Sequence, residues 1–158
     1  MNERDERIAV IARQLETLSD REINHIQHVL NALEAAKKEN SLHYLGKFLG
    51  IDLNHEDGPV MELGLHNENI YGVAQGGALY VFADVSIGFT VLKEVQEGEK
   101  VFTLELKVNF IKKGEGSRLV AKPRILHFGK TTAVADCTIL DDNERIVAQA
   151  RGTFYIVK

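Results

Sequence analysis

The stretch from Gly76 to Glu94, GGALYVFADVSIGFTVLKE, constrains the fold more than any other part of the chain. It is too long for one strand and carries no turn signal in its interior, so it reads as a helix. Small and apolar side chains occupy every side of that helix, and such a helix has to be enclosed by the rest of its domain. The C-terminal third of the chain can supply the enclosure. VFTLELKVNFIKK alternates, with Phe102, Leu104, Leu106, Val108 and Phe110 on one face and Thr103, Glu105, Lys107 and Asn109 on the other. KGEGS is a turn, RLVAKPRILHFGK and TTAVADCTILD are strands divided near Gly129, DDNE is another turn, and RIVAQARGTFYIV is a last strand. Connections this short require mostly antiparallel neighbours. The expectation is an α+β domain in which a curved antiparallel sheet wraps around one long buried helix.

Residues 1–40 read as a helical hairpin outside that unit. Ile8, Ile11, Leu15 and Leu18 recur at helical spacing. SDRE fits a capping box, with Ser19 as N-cap and Glu22 reaching back, and Ile23, Ile26, Leu30 and Leu33 form a second apolar stripe. Such stripes pack on a domain or a partner subunit. Six Lys/Arg against eight Asp/Glu in this segment disfavour a DNA-reading helix-turn-helix. The main domain then spans 41–158. It opens with a short helix from Ser41 running into a first strand, then a turn at HEDG, a strand in PVMELGL, and the polar loop HNENIYG leading to Gln75.

Composition narrows the function classes. With 44% hydrophobic and 27% charged residues the chain has a globular balance. No apolar run approaches the ~20 residues of a membrane span, and the charged N-terminus lacks a signal-peptide core. A single cysteine, Cys137, allows neither an intrachain disulfide nor a cysteine zinc cluster, and reads as core. The expectation is a cytoplasmic protein that binds neither membrane nor nucleic acid, the net charge being −4. The six histidines form no strong metal motif, and His25 and His28, three apart, read as a solvated face. No G-x-S-x-G elbow, GxGxxG or P-loop is present.

The remaining chemistry is concentrated at the two ends of the buried helix. Asp84 has Tyr80, Val81, Ile87 and Gly88 as its helical neighbours, and an unpaired carboxylate there is costly by several kcal/mol. It is either satisfied by backbone or Tyr80, or it is a catalytic base or nucleophile. Gly76 and Gly77 stand where the helix starts, where free N–H groups suit an anion or a developing oxyanion. Eight residues on one helix separate Gly76 from Asp84 by about 12 Å, too far to meet around one carbonyl. Two antiparallel copies of the helix about a twofold axis bring Gly76 of one chain to Asp84 of the other. A homodimer is then required for the site.

NIYGVAQGGALYVFADVSIG, followed by TLELKVNF, resembles the hotdog-fold acyl-CoA thioesterases, in particular the phenylacetyl-CoA thioesterase (PaaI-like) branch. The resemblance runs from about residue 45 to 157 and includes HFGK and ARGTF. It implies a hotdog fold, an acyl-CoA substrate, no cofactor beyond the coenzyme A of the substrate itself, and a homodimer or homotetramer. By position it implies that Asn69 orders water or thioester, that Gly76 supplies the oxyanion N–H, that Asp84 is base or nucleophile, and that Thr103 helps to position water. Gln75 replaces the family's usual histidine and cannot become cationic. Gly77, Gly129 and Lys130 are candidates for coenzyme A contact, Lys130 as a phosphate partner. The alternative from another class is a non-catalytic acyl-CoA-binding or regulatory module.

Overall fold

The computed structural model describes residues 2–38 and 43–158. In chain order its ten elements are α1 (Glu3–Leu15), α2 (Asp20–Ala36), α3 (Tyr44–Phe48), β1 (Ile51–Asp52), β2 (Val60–Glu62), α4 (Gly76–Leu92), β3 (Lys100–Phe110), β4 (Arg118–Phe128), β5 (Thr132–Asp141) and β6 (Ile146–Val157). All six strands form one antiparallel sheet in the order β1-β2-β4-β5-β6-β3, and α4 packs across its inner face. This is the expected hotdog architecture. The short helix expected from Ser41 starts at Tyr44, capped by the His43 ring, which accepts from the Gly46 N–H; Ser41 itself lies outside the described residues.

The inner face of the sheet is lined by small residues, which let the helix approach closely. Ala133, Ala135, Cys137 and Ile139 on β5 and Ala148, Ala150, Phe154 and Ile156 on β6 are buried against Ala78, Leu79, Phe82, Ala83, Ile87 and Val91 of α4. Pro123 sits inside β4, where it has no N–H to donate. It is tolerated because β2 pairs with β4 only at Arg118–Val120, leaving β5 as the one neighbour at Pro123.

Two expectations are corrected within this core. First, α4 is not enclosed on all sides. Gly77, Tyr80, Asp84 and Gly88, spaced by helical turns, form a stripe that stays open or half-open, with Tyr80 41% exposed. Second, the faces of β3 do not obey simple alternation. Val101 and Thr103 stand opposite Ile156 and Phe154, and Leu106 and Val108 stand opposite Gly152 and Ala150, so all four belong to the inner face. A β-bulge between Thr103 and Glu105 inserts Leu104 as an extra residue and switches the parity. Phe102 consequently lies with Tyr155 on the outer face, and Phe102 and Leu104 are exposed.

At the N-terminus the capping box forms: the Glu22 carboxylate accepts from the backbone N–H and the hydroxyl of Ser19. Among the described residues the apolar stripes are only partly covered, at Leu15, Leu18 and Ile26. Helix α1 buries no residue, and Ile8, Ile11, Ile23, Leu30 and Leu33 are exposed. Only α2 reaches the core, chiefly through α3: Ala32 is buried, a ring nitrogen of His28 bonds the Phe48 carbonyl, and Arg21 pairs with Glu68. His25 and His28 are accordingly not solvated. They are half-buried, and the His28 ring stacks on His66 with centroids 4.0 Å apart.

Candidate active site

Asp84 occupies the open stripe of α4, half-buried. Its partner is neither backbone nor Tyr80. The Thr103 hydroxyl donates a 2.7 Å hydrogen bond to Oδ1, and the Tyr80 hydroxyl instead donates to the carbonyl of Leu106 at 2.7 Å. The bulge makes the first contact possible. Under plain alternation Thr103 would share an outer face with Lys107 and Asn109, and could not reach α4. Asp84 and Thr103 line a cleft of about 160 Å³ with Val85, Gly88, Phe89 and Val101, an apolar chamber beside one carboxylate. His43, unassigned from the sequence, lines the same cleft. No signal in the chain announces it, because α3 brings it there from outside the motif.

Gly76 lies at the other end. It is the first residue of α4, and the first N–H groups of a helix have no intrahelical acceptor. Gln75 is the N-cap, and its side-chain Oε1 accepts from the Gly77 N–H, so Gln75 braces the turn and engages Gly77. The Gly76 N–H, like that of Ala78 in the same turn, has no acceptor among the described residues. A cleft of about 340 Å³ opens there, lined by Asn69, Val73, Gly76, Phe110, Lys112 and Lys113 among others. Asn69 is tied into its own loop: its side-chain Oδ1 accepts from the Tyr71 N–H at 2.9 Å, and its backbone N–H donates to the Val73 carbonyl at 2.8 Å. Asn69 therefore shapes the loop that walls the cleft.

The two clefts share no residue. Helix α4 runs antiparallel to β3, with Gly76 beside Phe110, Tyr80 on Leu106 and Asp84 on Thr103. Gly129 and Lys130 sit in the β4–β5 turn, closed by Gly129 N–H to Thr132 O at 2.8 Å. Thr132 stands opposite Tyr155, itself opposite Phe102, so this turn lies at the Asp84 end of the sheet, with Lys130 exposed.

A family model for the thioesterase superfamily matches residues 71–148, a span that holds Gly76, Asp84, Thr103 and Lys130. The matched span, just under half of the chain, is similar to the thioesterase superfamily. Among curated relatives it is 31% identical over 91 residues to a candidate esterase of Saccharolobus solfataricus, covering 56% of this chain and 59% of that protein. It is 27% identical over 88 residues to a 1,4-dihydroxy-2-naphthoyl-CoA hydrolase of Listeria monocytogenes, covering 56% of this chain and 72% of that one. The crystal structure of a Bacillus halodurans protein with CoA superposes with a TM-score of 0.88 at 23% identity, over 95% of this chain and 99% of that chain. A mutant thioesterase from Pseudomonas aeruginosa superposes with a TM-score of 0.68 at 25% identity, over 82% of this chain and 93% of that one. The hotdog thioesterase fold is thus shared, and the first superposition is long enough to include N-terminal helices. Among the described residues no helix is long and apolar enough to cross a membrane.

Two other groups stand apart from the site. Cys137 is 1% exposed in the core, and burial pushes its thiol up to about 12, which removes it as a nucleophile at neutral pH. Burial, and next the neighbouring His28, bring His66 down to about 4, so the stacked ring is neutral at physiological pH.

Proposed function

We propose that the protein hydrolyses an acyl-CoA thioester to the free carboxylic acid and CoA, in sites each built by two copies of the chain. The observation that carries this reading is Asp84, bonded by Thr103 on the open stripe of a helix whose first N–H, at Gly76, has no partner in that helix. The thioester carbonyl accepts from the Gly76 N–H, which stabilises the oxyanion as the tetrahedral intermediate forms. Asp84, in its ionised form, takes the proton of the attacking water or attacks the carbonyl itself. If water attacks, the C–O bond forms, the C–S bond breaks, and the proton taken by Asp84 passes to the departing CoA thiolate. If Asp84 attacks, the same exchange leaves a mixed anhydride, which water then cleaves to the free acid and the Asp84 carboxylate, its proton going to the thiolate. The superfamily match and the relative named as a CoA-thioester hydrolase support the substrate class. Lys130 at the Asp84 end and Lys112 at the Gly76 cleft are cations suited to the phosphates of CoA.

The free edge of the sheet supports the dimer. β3 is an eleven-residue edge strand with Phe102, Leu104 and Phe110 each more than half exposed, and such an edge invites a second strand. Because α4 is antiparallel to β3, the arrangement of two copies follows. Antiparallel pairing of two β3 strands about a twofold near Leu106 brings the Thr103 end of one chain beside the Phe110 end of the other. Asp84 then approaches the Gly76 of its partner copy. Two α4 helices laid side by side at the usual 8–10 Å close the cleft between them.

The test is steady-state release of CoA thiol from aryl, short and long acyl-CoAs, with Asp84→Ala and Asp84→Asn alongside. Turnover by the wild type that collapses in both variants is expected. Background rates on the whole panel, or wild-type rates in Asp84→Ala, contradict the reading. Tight acyl-CoA binding by calorimetry without CoA release would instead support a binding module.

A further inference from the structure

Tyr80 sits one turn before Asp84 on the open stripe of α4. Its hydroxyl donates to the carbonyl of Leu106 at 2.7 Å, while Asp84 accepts from Thr103 at 2.7 Å. These two bonds tie α4 to β3 on either side of the bulge at Leu104. Among the described residues β3 has one neighbouring strand, β6, and takes its register from it. A slip of one residue against β6 would turn every side chain of β3 to the opposite face. Thr103 depends on the bulge to face inward at all. Gly152, opposite Leu106, leaves room for it: a Cβ there would stand 3.0 Å from the Glu105 carbonyl and from Leu106 Cδ1.

We infer that Tyr80 is a positioning residue whose hydroxyl locks the β3 bulge and thereby holds Thr103 on Asp84. This rests on Asp84 being the reactive carboxylate. The Tyr80 proton is committed to a strand carbonyl, so its role is to fix the geometry of a neighbour and not to exchange protons with substrate. Glycine at 152 permits the bulge, whereas Tyr80 selects it.

The experiment compares Tyr80→Phe, Thr103→Val and the double variant with the wild type, measuring kcat, KM and amide hydrogen exchange. Tyr80→Phe keeps the ring and removes only the hydroxyl. Its kcat is expected to fall about fivefold, the scale of one neutral hydrogen bond, with KM unchanged. In the Thr103→Val background the same change is expected to cause no further fall, because the group it positions is gone. Exchange at Leu104, Glu105 and Leu106 is expected to quicken, with α4 protection unchanged. Wild-type kcat in Tyr80→Phe, an equal fold-loss in both backgrounds, or unchanged exchange at these amides overturns the inference. If the wild type releases no CoA from any acyl-CoA, the hydrolase reading fails on its own. The exchange comparison then decides the clamp: faster exchange upholds it and unchanged exchange overturns it.

Discussion

Gly76→Pro removes a single hydrogen-bond donor from the proposed chemistry and disturbs little else. Gly76 is the first residue of α4, the helical position where proline is best accommodated because the N–H there has no intrahelical acceptor. Proline also constrains the residue before it to extended backbone, and Gln75 is already extended, at φ −70° and ψ 136°. An added Cβ would meet Phe110 Cζ at 3.4 Å, a tight contact that this side chain, 55% exposed on an edge strand, can relieve by a small shift. The expected change in stability is therefore within about 1 kcal/mol. The expected change in catalysis is far larger. Loss of one oxyanion donor lowers kcat by about 10²–10³, or roughly 3–4 kcal/mol in the barrier. Thermal unfolding and thiol release on the best substrate of the acyl-CoA panel measure the two quantities on the same sample. A folded Gly76→Pro variant with kcat within a few-fold of wild type would refute the oxyanion assignment.

Two further outcomes rest on the packing. His66 titrates near pH 4 when folded, against an ordinary value of 6.5, so between these pH values the unfolded chain binds a proton that the native state rejects. Its contribution to stability is complete above pH 6.5 and is lost as pH falls toward 4, by about 1–2 kcal/mol after allowing for a half-exposed ring. Denaturant unfolding across this window checks the slope, which His66→Gln should flatten. Gly152→Ala forces a methyl to within 3.0 Å of Glu105 O and Phe154 Cε2, and the overpacking is expected to destabilise by about 1–3 kcal/mol. An unchanged melting temperature in that variant would mean the bulge has slack that the close contacts do not show.

Much of this architecture is legible in the chain. The helix at Gly76–Leu92 is announced by length and apolarity, and β4, β5 and β6 by short apolar runs between turns, because local patterns and burial agree there. Asp84 and Gly76 stand out for the same reason: a carboxylate and paired glycines break the pattern of that helix. The features that sequence misses are non-local. The Leu104 bulge hides inside a run, TLEL, that alternates perfectly, so counting by twos sends Thr103 to the wrong face. The stacking of His28 on His66 depends on α2 docking beside a loop thirty-eight positions later, which no spacing within α2 reveals. His43 reaches the Asp84 cleft by the same kind of tertiary placement. The stripes of α1 and α2 are legible as apolar faces, but periodicity states only that a face is apolar, not what covers it.

The central claim is that Gly76 and Asp84 of different chains make one site, and mixing two inactive variants tests it most directly. Asp84→Asn and Gly76→Pro, each inactive alone, are unfolded together and refolded as an equimolar mixture, or co-expressed. In a mixed dimer one site takes intact Gly76 from the first variant and intact Asp84 from the second, while the other site lacks both. Random pairing makes about half of the dimers mixed, so thiol release should recover to about one quarter of the wild-type rate. If mixed dimers form and activity stays at the level of the separate variants, Gly76 and Asp84 do not act across the dimer, and the shared site does not exist.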